Sequence, residues 1–229
     1  MENLYRELCS KIKNADAVLI GASNGLSIAE GYHIFADDDN FRKHFRYFRD
    51  RYGIPNIIQG IFAPLPEEEH RKFMDTVVSY MITSYSGSEV YQNLYKLVSG
   101  KDYFILTSNG DTHFQINGFD DEKVFEIEGN FIGREMHDAV WHKKHRSFQS
   151  FLQKYQDKNV VVLELGIGKR NQMIKAPLMQ LVADNAGYSY ITMNLPQEIF
   201  IPESIQTRST ALCGNIADIF QVLIQINTF

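Results

Sequence analysis

One strand-like stretch, Tyr103-Phe104-Ile105-Leu106, runs into Thr107-Ser108-Asn109-Gly110-Asp111, and fifteen residues beyond Asp111 the chain reads Glu126-Ile127-Glu128-Gly129. Polar groups at the end of an apolar strand reach into a cleft. An amide offers a donor and an acceptor in fixed geometry. A carboxylate holds positive charge, or takes a proton if its surroundings raise its pKa. Asn109, Asp111, Glu126 and Glu128 are therefore the first candidates for chemistry.

A second candidate is the turn Gly21-Ala22-Ser23-Asn24-Gly25-Leu26-Ser27, which follows the apolar run Val18-Leu19-Ile20. Small residues let backbone N–H groups approach a pyrophosphate, and a helix start beyond the turn favours its charge. Ser23 stands where G-x-G-x-x-G would place its second glycine, so the generic dinucleotide fingerprint is weak. A tight strand-to-loop turn capped by Ser or Asn fits the same residues.

The elements that must position these groups are legible from periodicity. Leu4, Tyr5, Leu8, Cys9 and Ile12 fall at helical spacing. Apolar strands are expected at the start of ADAVLIGASNG (15–25) and at 102–108, 159–168 and 188–194, with helical patterns at 40–52, 67–85, 88–98, 144–156 and 175–186. Unbroken apolar strands separated by helices predict an α/β, Rossmann-like doubly wound parallel sheet. The long excursion between the first two strands predicts a reduced helical and loop lobe. The expected division is one domain over 1–229, with a core at 15–31, 99–131 and 158–229. Segments 32–98 and 132–157 form the smaller lobe and insertions.

The whole chain narrows the classes. Its 229 residues are 44% apolar and 22% charged, which suits a packed domain. A net charge of −5 supplies no global field for nucleic acid or anionic membrane. Two cysteines, Cys9 and Cys213, exclude a disulfide scaffold and suggest a reducing, cytoplasmic setting. No signal-peptide pattern and no membrane-length apolar run is present.

Taken in order, the motifs resemble those of the sirtuins. GASNGLSIAEG resembles the opening G-A-G-x-S motif, and TSNGDTHF the T-Q-N-x-D segment. Glu126-Ile127-Glu128-Gly129 aligns with E-L-H-G. Gly166-Ile167-Gly168 occupies the place of the later G-T-S turn, Asn194 ends a strand as the ribose-contacting Asn does, and CGNIADIF matches the last turn and helix. NFRKHFRYFRDRYGIPNIIQGIFAPLPEEE adds a resemblance to the bacterial class M branch, associated with macrodomains and protein lipoylation.

The resemblance implies NAD as cofactor, or ADP-ribose as ligand. Gly21, Ala22, Ser23, Asn24, Gly25, Leu26 and Ser27 would serve the pyrophosphate, with Phe35 as the covering aromatic. Gly166, Ile167 and Gly168 would form the later cofactor-binding turn, Asn194 would contact the adenosine ribose, and Asn215 and Ile216 would sit near the adenine. Asn109 and Glu128 would handle the reacting ribose and Asp111 the carboxamide.

Three departures matter. The zinc-ribbon cysteines are missing, so a zinc-free small lobe is expected; His137, His142 and His145 read as a packed or solvated group rather than ligands. The Arg that usually accompanies the covering Phe is absent, and Asp37-Asp38-Asp39 follows instead. Glu128 stands where sirtuins carry their catalytic His, which argues against deacetylation. The expected activity is ADP-ribosyl transfer to a protein acceptor, by class resemblance a lipoyl carrier protein. NAD hydrolysis and nucleotide sensing without turnover remain the alternatives. His113 is expected to pack or cap rather than replace the missing His.

Overall fold

The computed structural model describes residues 2–227. Six parallel strands form one sheet in the order β3-β2-β1-β4-β5-β6. Central β1 (Ala17–Ala22) is buried throughout. It pairs with β2 (Asp102–Thr107) on one side and β4 (Val160–Leu165) on the other, Ile20 lying level with Ile105 and Leu163. Outside these run β3 (Val124–Glu126), β5 (Tyr188–Asn194) and β6 (Ser209–Cys213).

The apolar runs contain no polar alternation because both sheet faces are covered. Successive side chains still divide between the faces. Val18, Ile20, Ile105, Val161 and Leu163 pack with α1 (Glu2–Asn14), α7 (Glu89–Val98) and α11 (Ile216–Asn227). Leu19, Phe104, Leu106, Val160 and Val162 face α9 (Ala139–Tyr155) and α10 (Lys175–Asp184).

A third apolar cluster lies away from the sheet. It gathers Phe41, Phe45, Phe48, Ile57, Phe73 and Val77. Phe45 joins α3 (Asp39–His44) to α4 (Arg46–Tyr52), and the others come from these two helices, α5 (Ile57–Ile61) and α6 (Glu67–Val78), which continues into a π turn at Ser79–Thr83. The single helical pattern over 40–52 is thus two short helices meeting at Phe45, whose backbone leaves the helical region (φ −114°, ψ 17°). The aspartate run has a local use: Asp38 accepts from the Phe41 N–H at 2.7 Å and caps α3, while Asp37 pairs with Arg42 and Arg49.

The strand order reverses between β1 and β4, and an open α/β sheet offers its ligand crevice beyond the strand ends at such a point. There the turns after the two strands touch. The Gly25 N–H donates to the Gly166 carbonyl at 3.0 Å, and a Cβ on Gly25 would lie 2.5 Å from the Gly166 Cα. Gly166 also has φ +63°, so a side chain is excluded there twice over.

Candidate functional site

A cleft of about 640 Å³ opens over the C-terminal ends of β1, β2 and β3. Ser23, Asn24 and Ser27 line it from the first turn and the short α2 (Asn24–Ala29), Ser108 to Asp111 from the loop after β2, and Glu128 to Phe131 from the loop after β3. The opposite wall is apolar, with Phe35, Ile58, Ile61 and Phe62 among its side chains. The sequence therefore brings Asn109, Asp111, Glu128, Ser23, Asn24, Ser27 and Phe35 into one cavity.

The floor is a hydrogen-bonded chain of buried groups. Asn109 Nδ2 donates to the Ser23 carbonyl at 3.2 Å and to Ser27 Oγ at 3.0 Å. Ser27 Oγ donates in turn to Asp111 Oδ2 at 2.7 Å. Asp111 Oδ1 accepts the His113 N–H at 3.1 Å. These partners fix the Asn109 amide orientation and leave its Oδ1 buried without a partner. A buried acceptor left open costs free energy, on the order of 1–3 kcal/mol, that a ligand donor would recover.

Glu128 is built differently from its neighbour. Glu126 is buried and spent: it accepts from Gln115, Asn130 and Arg134, the last at 3.0 Å. Burial raises its pKa above the ordinary carboxylate value against the pull of those donors. That cluster bolts the loop, aided by Trp141 Nε1, which donates to the Ile127 carbonyl at 2.9 Å, and by Gly129 at φ +80°. Glu128 projects from this anchored loop into the cleft. Among the described residues no side chain pairs with it, and partial burial pushes its pKa up. It is open to solvent in the cleft, so the direction of that shift matters here more than its size.

Other expected site residues lie around the cleft rather than on it. The N–H groups of Ser23, Gly25 and Leu26 are spent on the carbonyls of Leu165, Gly166 and Ser23. Gly21, Ala22 and Leu26 are packed beneath the turn, where a Cβ on Gly21 would meet Leu178 Cδ1 at 2.2 Å. Gly166, Ile167 and Gly168 form the touching turn after β4. Asn194 is buried and internally satisfied, donating to the Ile167 carbonyl at 2.9 Å and accepting from the Leu195 N–H. Asn215 caps the start of α11 through the Ala217 N–H, and Ile216 is buried in the first sheet layer.

Beneath that second turn sits a fully buried ion pair, Lys175 with Glu164 at 3.2 Å. Glu164 also accepts from Tyr190, Thr192 and the Ile167 N–H, and Lys175 donates to the carbonyls of Ile167 and Glu198. The histidines of the 132–157 segment surround Trp141, His145 stacking on it at 5.2 Å between ring centroids.

Sequence reasoning missed Ser108, Asn130 and Asn171 on the cleft. Ser108 adjoins Asn109 and donates to Ser23 Oγ at 2.9 Å, and its place in a polar strand end was the available signal. Nothing local marks Asn130 or Asn171.

This arrangement is the sirtuin fold. Solved structures of that class cover nearly the whole chain: a Sir2 homologue in complex with NAD matches 97% of this chain and 93% of its own, with a TM-score of 0.61 at 12% identity. A Sir2 homologue variant with ADP-ribose matches 97% and 96%, with a TM-score of 0.62 at 13% identity.

Among curated proteins the chain is similar to a protein ADP-ribosyltransferase of Staphylococcus aureus (strain Mu50), 24% identical over 92% of this chain and 84% of that protein. It also resembles a probable bifunctional ADP-ribose hydrolase/ADP-ribosyltransferase of Fusarium oxysporum f. sp. cubense, 33% identical over 52% of this chain and 20% of that protein. No family model matches the sequence. Among the described residues no helix is long and apolar enough to cross a membrane.

Proposed function

We propose that this protein is an NAD-dependent ADP-ribosyltransferase acting on a protein acceptor. The observation that carries the reading is Glu128, a cleft carboxylate of raised pKa with no side-chain partner among the described residues, which the motif resemblance aligns with the catalytic His of sirtuins. Similarity to proteins named as ADP-ribosyltransferases supports it.

The residues present fit NAD. Asn109 Oδ1 is a buried acceptor awaiting a donor, which a carboxamide N–H or a ribose hydroxyl supplies. The apolar wall at Phe35 suits a flat ring, and the Gly25–Gly166 contact draws two backbone turns together beside the cleft. When bound, NAD supplies a ribose carbon whose bond to nicotinamide is broken as positive charge grows on the sugar, as in glycoside cleavage. Ser27 and Asp111 hold Asn109 in one orientation, which places its open acceptor before the reaction begins. Glu128, on the wall of the same cleft, would balance that charge and would take the proton released by the acceptor nucleophile as its bond to the ribose replaces the bond to nicotinamide. A carboxylate serves those two tasks better than it relays protons in deacylation.

The test is incubation with NAD labelled in its adenylate phosphate, with and without cell lysate, beside an acylated peptide. Label moving onto a lysate protein supports transfer. Free ADP-ribose formed at the same rate without lysate assigns the cleft to hydrolysis, and binding without product assigns it to sensing. Deacylation of the peptide overturns the reading of Glu128.

A further inference from the structure

His113 lies under the floor of the cleft, its side chain fully enclosed. Tyr85 stacks on the ring at 3.6 Å between centroids, and Tyr32 and Tyr91 meet it edge-on at 5.0 and 6.0 Å. Both ring nitrogens face oxygen. Nε2 is 2.6 Å from the Met81 carbonyl, which can only accept, so Nε2 carries a hydrogen. Nδ1 lies against Glu30 Oε1 in a close contact, with Asp111 Oδ2 at 3.8 Å. The second Glu30 oxygen is already taken by the Tyr85 hydroxyl at 2.7 Å, and Asn117 donates to that hydroxyl at 2.8 Å.

These contacts decide the charge of the ring. Burial favours the neutral form, but the Glu30 hydrogen bond and the carboxylates of Asp111 and Glu30 outweigh it, so the histidine pKa is raised. A carbonyl on one nitrogen and a carboxylate on the other describe an imidazolium with both hydrogens engaged. The cation also sits beside the one carboxylate, Asp111, that orients Ser27 and hence Asn109.

We propose that His113 is a positioning residue of this site: an imidazolium pinned between Met81 and Glu30 that holds Asp111 against Ser27 and so aims the open acceptor of Asn109 into the cleft. The proposal deepens the reading of the cleft as the reaction site and rests on it only for the nucleotide. Glu30, Asp111 and His113 come from positions up to 83 residues apart, and their ligand atoms lie within 4.8 Å of one another. One hydrogen bond joins the ring to Glu30, and Asp111 adds its charge beside the same nitrogen while it accepts from Ser27.

The experiment is a pH series of long-range nitrogen–proton spectra of the histidine rings, with the Asn109 side-chain amide signals followed in parallel. The wild-type His113 ring shows two protonated nitrogens at pH 7. In Glu30→Gln its titration midpoint falls by about 1–3 units, the usual effect of losing one adjacent opposite charge. The Asn109 amide signals in that variant move at neutral pH and return below its lowered titration midpoint, where the ring is recharged. In His113→Gln they are displaced at every pH.

ADP-ribose titrations add the functional arm: binding by Glu30→Gln is weakened at neutral pH and rescued below the variant's measured ring midpoint, a pattern that a purely structural loss would not give. A singly protonated wild-type ring at pH 7 overturns the proposal, and so do Asn109 signals indifferent to ring charge. The wild-type spectrum decides the first point even if neither variant folds. If the ring and Asn109 respond as stated while wild type binds no nucleotide, the NAD reading falls and the assignment of His113 stands.

Discussion

The loop after β3 carries Glu128 and strand β4 carries Glu164, and the two carboxylates are used in opposite ways. Glu164 is enclosed, paired with Lys175 and surrounded by donors, and its oxygens are engaged by the Ile167 N–H and by Tyr190 and Thr192 of β5. Glu128 is carried by a loop tied down through the Ile127 carbonyl and Trp141, but its own carboxylate meets no partner among the described residues. Satisfied groups build the backbone of a site; unsatisfied ones are left for a ligand. The same contrast separates Asn194, with both amide ends engaged, from Asn109, with its Oδ1 open.

That contrast can be broken most forcefully at Lys175. Lys175→Met leaves Glu164 as an uncompensated buried charge and should cost about 3–5 kcal/mol in urea unfolding. Adding Glu164→Gln should recover most of the loss. A single substitution without effect would mean that the second turn is not held as described. Next is Gly25→Ala, whose new Cβ would stand 2.5 Å from backbone that cannot rotate away. Overpacking of this kind costs about 1–3 kcal/mol, so a thermal midpoint unchanged from wild type would contradict the close approach of the two turns.

Smaller effects come from titration. The raised pKa of His113 means that its contribution to stability is complete below the ordinary histidine value of about 6.5. It is lost as pH rises through the folded-state value. Urea midpoints across pH 5 to 9 should therefore fall on the alkaline side, and His113→Gln should flatten that limb. Glu128 also has a raised pKa, so its ionisation works against folding above the ordinary glutamate value of about 4.3. Glu128→Gln should then be slightly more stable than wild type at pH 7 and equal to it near pH 4. A loss of stability at pH 7 would show that Glu128 has a structural partner after all.

Much of this was readable from sequence where one residue type has one use. The apolar runs of β1, β2, β4 and β5 stand out because strands covered on both faces cannot hide polar residues. β3 has only Val124 to Glu126, too short for a period, and β6 reads Ser-Thr-Ala-Leu-Cys with only Leu212 buried, so neither was visible. Asn109, Asp111 and Glu128 stood out as candidates because polar groups at strand ends have few reasons to be there, and all three line the cleft. Glu30 was not, because its partner His113 lies 83 residues away and only the fold brings them together. The same limit hid the Glu164–Lys175 pair. His113 was expected to pack or cap; its backbone N–H does bind Asp111, and its ring packs as a paired, enclosed histidine.

The central claim is that Glu128 acts on the bound nucleotide while Asn109 receives it. The direct measurement compares wild type, Glu128→Gln and Asn109→Ala for ADP-ribose affinity and for label transfer from NAD in one lysate. Glu128→Gln should keep its affinity within about threefold and lose about 100-fold or more in transfer, the usual worth of a positioned proton acceptor. Asn109→Ala should lose both. Transfer by Glu128→Gln at the wild-type rate would contradict the account.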